Sequence, residues 1–346
     1  MSMKNGGIKA RFSLTAMLVV LLMPAFLFGT GQGMSWAGPG YPASLTDSEG
    51  QTLRLERPFC RIVSLYPAHT ENIILLGAGS ALVGIGRGAL HLPEGLEGSR
   101  YQPLIEAIPK VSYRDDPERI LALEPDLVLI RPMISRAHPG LINRLKNHGI
   151  AVVSLQPSKA SELYQYWQDL GVLTGRLHEA REMIVGFESG LSEMEALVSA
   201  IPVQDRPRVY FEAIHAKMKT FAPDSIAIFV LEKAGGRNIA ADAFQVRSTN
   251  IAYYGKERIL AKADQIDVYL AQKGRMNRIR LEDIVKEPGF HVIKAVKDKR
   301  VYLVDEALVS RPTPMLMKGI RLIHGLLYGP GLDATGGQAK EKEEGP

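Results

Sequence analysis

The sequence has little of the chemistry that marks many enzyme families. It contains no phosphate-binding loop, no GxSxG nucleophile motif and no HExxH zinc motif. Its eight histidines are scattered along the chain. The run GIGRG (Gly84–Gly88) lacks the spacing of a dinucleotide fingerprint and leads into ALHLPEG instead of a helix. These absences favour a protein without enzymatic activity.

Cysteine is also nearly absent, because Cys60 is the only one in 346 residues. A single cysteine cannot form an intramolecular disulfide. Cys60 begins the apolar run CRIVSL, and no Cys/His arrangement accompanies it. We therefore expect a buried thiol that packs as a small hydrophobe.

The N-terminus resembles a secretory signal peptide. A basic start without acidic residues precedes the uncharged apolar run Leu14–Phe28, and small residues follow. Ser35 and Ala37 occupy the −3 and −1 positions of a cleavage site after Ala37. The apolar run is shorter than the roughly 20 residues that span a bilayer. The sequence predicts a signal peptide over residues 1–37 and a periplasmic product, and no cysteine lies at the cut to carry a lipid.

Net charge argues against nucleic acid as a partner. The whole chain carries +5, and the predicted signal peptide holds three of its positive charges and no negative ones. Removing it lowers the net charge from +5 to +2. A mature protein of this charge is not expected to bind nucleic acid.

Strand and helix patterns alternate in two stretches of the chain, which predicts an α/β fold with parallel sheets. Residues 43–157 form the first predicted lobe and residues 206–330 the second. Between them, residues 158–203 have helical apolar spacing and almost no strand signal, which predicts one long linker helix or a broken pair. Residues 331–346 are charged and Gly-rich, and we expect a disordered tail.

A repeated pentapeptide supports two similar lobes. ERILA occurs at Glu118–Ala122 and again at Glu257–Ala261. Each copy precedes a predicted strand that an acidic residue introduces, Asp126 in the first half and Asp267 in the second. A helix, a Gly turn and an extended run precede ERILA in both halves, so we expect the same structural unit twice.

Ligands of open parallel sheets bind beyond the carboxyl ends of the strands, and facing lobes place these ends around a cleft. Arginine and aromatic residues recur at the predicted ends. Arginine offers fixed donors to anionic oxygens, and aromatic rings cover flat apolar surfaces. The candidate ligand-binding residues are Tyr66, Arg87, Tyr113, Arg114, Arg131, His215, Phe244, Arg247, Arg275, Met276 and Arg311. They favour a bulky ligand with negative oxygens, although solvated loop arginines and rim aromatics remain an alternative for any single residue.

A bare metal site is the less favoured alternative. His69, His138, His215 and Glu306 could converge in the cleft as ligands. However, His69 fits a helix entry and His138 fits a loop equally well.

Several segments together resemble one family. They are SLTDSEGQTLRLERPFCRIVSLYPAHTENIILLGAGSALVGIG, DPERILALEPDLVLI, LEKAGGRNIAAD and KERILA. Over residues 45–330 the chain resembles the periplasmic substrate-binding proteins of ABC importers for ferric siderophores, haem and cobalamin. The resemblance implies two Rossmann-like lobes bridged by one long helix, a ligand cleft between them, no enzymatic activity, no resident cofactor and a protein that works as a monomer.

The resemblance also implies docking onto a transmembrane permease through one surface glutamate on each lobe. The matching positions are Glu71 in PAHTENI and Glu257 in KERILA. Gly255 departs from the serine usual at the start of the second helix. Glu118, in the first ERILA copy, is then expected to be only a solvated acid at a helix start.

The resemblance does not name one ligand. The arginines favour an anionic ferric siderophore. Haem would need an axial ligand, for which Tyr66 and His215 are available, and cobalamin would favour aromatic walls with fewer charges. A periplasmic enzyme acting on tetrapyrroles or metals, and a sensor with an empty cleft, remain alternatives from other classes.

Overall fold

The computed structural model describes residues 41–87, 102–114, 117–246 and 249–329. They belong to one compact unit, in which two α/β lobes follow each other along the chain. The predicted signal peptide, the predicted tail and Arg247 lie outside the described residues. No helix within the described ranges is long and apolar enough to cross a membrane.

The chain enters the first lobe through a β-hairpin, as the sequence predicts. Strands β1 (Ala43–Thr46) and β2 (Thr52–Leu55) pair antiparallel around a turn in which Gly50 has a φ of 79°. Asp47 holds this turn, because its carboxylate accepts hydrogen bonds from the backbone N–H groups of Glu49, Gln51 and Ser154. The hairpin is thereby tied to the rest of the lobe.

The first lobe contains a five-stranded parallel sheet in the order β5-β4-β3-β6-β7. Its strands are β3 (Ile62–Ser64), β4 (Leu82–Gly86), β5 (Lys110–Val111), β6 (Leu127–Ile130) and β7 (Ala151–Ser154). Its helices are α1 (Pro67–Leu75), α2 (Gln102–Ala107), α3 (Glu118–Leu121), α4 (Pro132–Ala137) and α5 (Pro139–Asn147). Every residue of β3 and β6 is buried, as expected for strands that helices cover on both faces.

The linker is a broken pair of helices. They are α6 (Leu163–Thr174) and α7 (Leu177–Ser199). Gly175 ends α6 in the left-handed conformation, with a φ of 70°, which glycine adopts at little cost. Helix α7 has 23 residues and buries one apolar face that includes Ile184, Phe187 and Met194.

The second lobe has a seven-stranded sheet in the order β11-β12-β9-β8-β13-β14, with β10 paired to the first part of β8. The strands are β8 (Arg208–Ile214), β9 (Lys219–Phe221), β10 (Arg237–Asn238), β11 (Phe244–Gln245), β12 (Ile251–Tyr253), β13 (Val268–Lys273) and β14 (Val301–Asp305). The helices are α8 (Ile226–Lys233), α9 (Lys256–Ala261), α10 (Leu281–Val285), α11 (Lys294–Lys297), α12 (Glu306–Val309) and α13 (Leu316–Tyr328).

The expectation of a wholly parallel second sheet is wrong. Strands β8, β10, β13 and β14 are parallel, but β9, β12 and β11 run antiparallel to their neighbours. The short segment after β8 turns back as β9. A hairpin-like return needs only a few residues, so it lacks the intervening helix from which parallel pairing is predicted.

The repeat marks the same unit in both lobes. Asp126, just before β6, accepts hydrogen bonds of 2.9 Å from the backbone N–H groups of Cys60 and Arg61. Asp267, just before β13, accepts a 2.9 Å bond from the backbone N–H of Arg208. Each aspartate therefore fastens the amino end of a central strand to the strand beside it.

The expected burial of Cys60 is wrong, because its side chain is exposed. Strand β3 begins only at Ile62, and the backbone at Cys60 lies at the outer edge of the sheet, where it binds the Asp126 carboxylate. The apolar run CRIVSL therefore starts two residues before the chain enters the core.

Candidate functional site

Two adjoining cavities lie at the carboxyl ends of the strands. The first cavity has a volume of about 140 Å³ and is lined by both lobes. The second has a volume of about 290 Å³ and is lined by the first lobe and by Arg275 of the second. Pro67 and Arg275 line both cavities, so we treat them as one cleft.

Eight of the predicted ligand-binding residues lie in this cleft. Tyr66, Arg131, Arg275, Met276 and Arg311 line the first cavity, and Arg87, Tyr113, Arg114 and again Arg275 line the second. Each group follows the carboxyl end of a strand, because β3, β4, β5, β6 and β13 all end beside the cleft. That these residues contact a ligand stays a prediction.

Tyr66 and Arg131 form one surface of the first cavity. The Arg131 guanidinium carbon lies 4.4 Å from the centroid of the Tyr66 ring, within the range of a cation–π contact. Burial raises the pKa of the Tyr66 phenol, although Arg131 and Arg311 oppose this rise. The phenol therefore stays protonated at neutral pH.

Across the cleft, Arg275 stands on the loop after β13. Its backbone N–H donates a 2.9 Å hydrogen bond to the Glu306 carboxylate at the start of α12. A side chain at Gly274 would overlap that carboxylate, so the close approach of loop and helix requires glycine there. This contact leaves the Arg275 side chain exposed at the cleft.

Three cleft arginines carry charge that no described carboxylate balances. No carboxylate of the described residues pairs with the side chains of Arg114, Arg131 or Arg275. The Nε atom of Arg131 is buried without a hydrogen-bond partner in the described part of the chain. A buried donor of this kind favours an acceptor brought by a ligand.

Arg311 is different, since its charge is already paired. Its guanidinium is hydrogen-bonded to the carboxylate of Glu71, and Nη2 lies 3.7 Å from Oε1 of Glu306. Arg311 is 7% exposed and Glu71 is 4% exposed. Arg311 therefore forms part of the cavity lining but does not offer an uncompensated charge.

The expectation that Glu71 is a surface residue is wrong. Helix α1 begins at Pro67, which places Glu71 in the body of the helix instead of its first turn. Every residue from Ala68 to Ile74 is buried, because this short helix is covered on all sides. Burial raises the pKa of the Glu71 carboxyl to about 7, although Arg311 favours its charged form. The carboxylate is therefore not presented on the surface of the protein.

Glu257 does have the predicted exposure. It lies in the first turn of α9 with its side chain exposed. Gly255 precedes the helix with a φ of 90°, a conformation that a serine side chain disfavours. The glycine is therefore explained by the backbone. Glu118 lies at the corresponding start of α3, also exposed, and pairs with Arg144 on the surface.

His215 is not among the residues that line either cavity. Its Nδ1 lies 2.9 Å from Oε2 of the buried Glu212, and its Nε2 lies 3.7 Å from Oε2 of Glu287. The hydrogen bond that His215 donates to the Glu212 carboxylate raises the pKa of His215, although burial of the ring opposes the rise. These partners hold the ring, and His215 does not line the cleft although it directly follows β8.

Phe244 also lies apart from the cavities. It is 72% exposed on β11, the edge strand of the sheet, where the Arg258 guanidinium lies 5.7 Å from its ring centroid. Arg247, the other candidate from this hairpin, lies outside the described residues.

The alternative metal ligands do not converge. His69 is completely buried, and its Nε2 lies 2.9 Å from the carbonyl oxygen of Leu155. His138 packs its ring against Tyr113, and His215 is held by its glutamates. Within the described ranges, no group of three or more His, Cys, Asp or Glu residues is arranged to hold a metal ion.

Sequence reasoning missed the neutral part of the lining. These residues are Pro67, Gln156, Pro157, Ser158, Ile226, Asn250, Ile251, Gln272 and Ser310. Residues 156–158 follow β7 and could have been found by the strand-end rule, but they have neither charge nor an aromatic ring. Ile251 begins a strand, β12, that was not predicted, although IAYY has the β-branched and aromatic residues of one. Asn250 directly precedes that strand.

Known proteins share this architecture. A structure described as an ABC-type Fe³⁺-hydroxamate transport system, from Saccharomonospora viridis, has a TM-score of 0.66 and 20% identity, covering 84% of this chain and 100% of that one. Among sequences, the chain is 25% identical over 291 residues to YvrC of Bacillus subtilis, described as an uncharacterized ABC transporter substrate-binding lipoprotein. That alignment covers 83% of this chain and 86% of the relative.

A second relative is described as a cobalamin-binding protein of Halobacterium salinarum. It is 26% identical over 208 residues, which is 58% of this chain and 52% of the relative. The family model described as periplasmic binding protein matches residues 62–308, which include the five-stranded and seven-stranded sheets, the linker and most of the cleft lining. The chain therefore belongs to the periplasmic binding protein family.

Proposed function

We propose that the protein captures an anionic metal chelate, of the ferric siderophore class, and delivers it to an ABC importer. The observation that carries this proposal is a set of three arginines, Arg114, Arg131 and Arg275, that surround one cleft and pair with no carboxylate among the residues the structure describes. They come from both lobes, so an anionic ligand between them would be held from two sides.

The chemistry of these side chains supports an oxygen-rich anion. A guanidinium presents a rigid fork of donors that matches carboxylate and similar anionic oxygens. Tyr66 and Tyr113 add aromatic surface beside the arginines. A chelate combines both features, because its organic ligand is bulky while its metal-binding oxygens carry negative charge. Catalysis forms no part of the proposal.

Cobalamin is the second candidate, because one relative is described as a cobalamin-binding protein. Haem receives less support, since His215 is held by Glu212 and Glu287, and the Arg131 guanidinium covers the Tyr66 ring. In addition, burial favours the protonated phenol of Tyr66, which is a poorer axial ligand than a phenolate.

We propose export by the signal peptide of residues 1–37, with cleavage after Ala37 and release as a monomer into the periplasm. The relative from Bacillus subtilis is described as a lipoprotein. Here no cysteine lies at the cut, since the only cysteine is Cys60, so we propose a product without a lipid anchor.

For permease docking, we propose the pair Glu118 and Glu257 in place of Glu71 and Glu257. Both begin ERILA, and both are exposed. Glu118 lies at the start of α3, which precedes β6, and Glu257 lies at the start of α9, which precedes β13. Two equivalent acids on equivalent helices suit a partner that meets both lobes with basic residues. The surface pair between Glu118 and Arg144 is of the weak kind that such a partner could replace.

The function is tested by direct titration of the purified mature protein. Isothermal titration calorimetry would compare a ferric catecholate, a ferric hydroxamate, ferric citrate, cobalamin and haem. We expect saturable one-to-one binding of a ferric chelate, and weak or no binding of its neutral analogues. Preferential binding of cobalamin would instead support the second candidate, and no binding of any compound would contradict a chelate carrier.

A further inference from the structure

One segment of the second lobe makes its contacts with the first. Residues 310–313 connect α12 to α13, both of which belong to the second lobe. Their partners, however, lie on α1 and α6 on the other side of the cleft. This segment and its partners form a junction beneath the first cavity, because Ser310 and Arg311 line that cavity.

Two hydrogen bonds and one ion pair hold the junction. The carbonyl oxygen of Pro312 accepts a 3.0 Å bond from Nδ2 of Asn72 and a 3.1 Å bond from Nε1 of Trp167. Beside it, Arg311 donates to the Glu71 carboxylate. Asn72 and Trp167 are completely buried, and Glu71 and Arg311 are nearly so.

A buried ion pair is a poor source of net stability. The cost of removing two charges from water offsets most of their attraction, and well-packed apolar residues often stabilise as much. Such a pair does, however, strongly disfavour arrangements in which the partners separate, since each charge would then be buried alone. Glu71 and Arg311 therefore select one relative position of the two lobes.

We propose that Glu71 and Arg311 are positioning residues of the cleft. Their ion pair, here called the clasp, holds the two lobes at one separation before ligand binds. Because Arg311 pairs with Glu71, its positive charge is compensated within the protein. The anion is then left to Arg131 on one wall and Arg275 on the other, at a spacing that the clasp sets. This inference deepens the proposed function, but it concerns the protein without ligand.

The clasp is tested by measuring the distance between the lobes. Cys60→Ser provides a background without cysteine, and Asn143→Cys on α5 and Glu282→Cys on α10 place a spin label on an exposed helical site of each lobe. Electron–electron double resonance then gives the distance distribution in the full mature chain. In the double variant Glu71→Met/Arg311→Met, which replaces both charges by unbranched apolar side chains, we expect the distribution to broaden and shift.

The matched control is Glu118→Gln/Arg144→Gln, which removes an ion pair from the surface of the first lobe. It should leave the distribution unchanged. A wild-type distribution in the folded Met/Met variant would overturn the clasp. If that variant does not fold, Glu71→Gln removes the ion pair but keeps the shape of the side chain, and an unchanged distribution in this variant would overturn the proposal equally.

The measurement uses no chelate, so its result is independent of the chelate proposal. A broadened distribution would support the clasp even if no ferric chelate bound. Conversely, chelate binding with an unchanged distribution would support the proposed function and reject the clasp.

Discussion

Glu71 of the first lobe and Arg311 of the second form an ion pair across the base of the cleft, and both side chains are buried. Removing one partner leaves the other charged and without its main compensation. Such changes typically cost about 3–5 kcal/mol of folding free energy. The pair therefore makes Glu71 one of the more sensitive positions on α1.

We expect Glu71→Ala to lower the free energy of unfolding by about 3–5 kcal/mol, as urea denaturation would show. Glu118→Ala removes a surface partner of Arg144 and should cost at most about 1 kcal/mol. Equal losses in the two variants would contradict the buried pair.

Arg131 is the cleft residue whose replacement should affect anion binding most clearly. Hydrogen bonds to charged groups contribute about 1.5–3 kcal/mol, so Arg131→Ala should weaken binding of an anionic ferric chelate by roughly 10-fold to 100-fold. Calorimetric titration measures this change. Arg131→Lys keeps the positive charge but loses the planar fork of donors, so its affinity for the chelate should lie between those of the native protein and Arg131→Ala.

Arg136 provides the control for that experiment. It lies on α4, is exposed, and does not line either cavity. Arg136→Ala should leave affinity unchanged. If Arg131→Ala also bound as the native protein does, the arginine set would not be the anion site.

Replacing the proposed docking residues should impair uptake without weakening ligand binding. The double variant Glu118→Ala/Glu257→Ala changes two exposed helix starts outside the cleft lining. It should bind chelate with native affinity yet abolish uptake in cells that depend on this importer. Glu124→Ala/Glu282→Ala, one exposed acid on each lobe, is the matched control and should transport normally. Normal uptake by the first variant would reject these glutamates as the docking pair.

Asp267 should contribute to stability in a pH-dependent way. Burial alone would raise its pKa, but hydrogen bonds from Arg208 and Lys294 outweigh burial and hold the pKa well below its ordinary value. A lowered pKa means that the unfolded chain binds more protons than the folded one in acid. The stabilisation is present above about pH 4, the ordinary pKa of aspartate, and is lost as the pH falls below it.

Urea denaturation at pH 6 and pH 3 would measure that loss. Asp267→Asn should be less stable than the native protein at pH 6, and its stability should fall less between the two values. Asp205→Asn, at an exposed position, should follow the native profile. A native acid dependence in Asp267→Asn would assign the acid sensitivity to other groups.

Much of the cleft could be predicted from strand ends alone. Tyr66, Arg87 and Arg131 directly follow, or nearly follow, strands of a parallel sheet, where backbone topology dictates the direction of the chain. The same rule was wrong for His215, because the rule places a residue at the sheet edge but does not fix its rotamer. The buried Glu212 lies three residues before His215 on β8, and its carboxylate accepts a hydrogen bond from the His215 ring.

Long-range pairing explains the other differences. The residues around Glu71 do not indicate a partner 240 positions later in the chain. The local sequence therefore could not distinguish an exposed acid at a helix start from an acid buried in an ion pair. Likewise, β12 pairs with β9 and β11 in a sheet whose order does not follow the chain. Local patterns predicted the two lobes, while contacts between distant segments decided which charges remain available.

Trp167 places a tryptophan fluorophore at the junction. On linker helix α6, its indole N–H donates to the carbonyl oxygen of Pro312 in the second lobe, and its ring packs edge-on against Phe187 with centroids 5.2 Å apart. The other tryptophan, Trp36, lies in the predicted signal peptide. After cleavage, the emission of the mature protein would come from one indole at the seam between the lobes. The chain thus has a native fluorophore where movement of the lobes would change its surroundings.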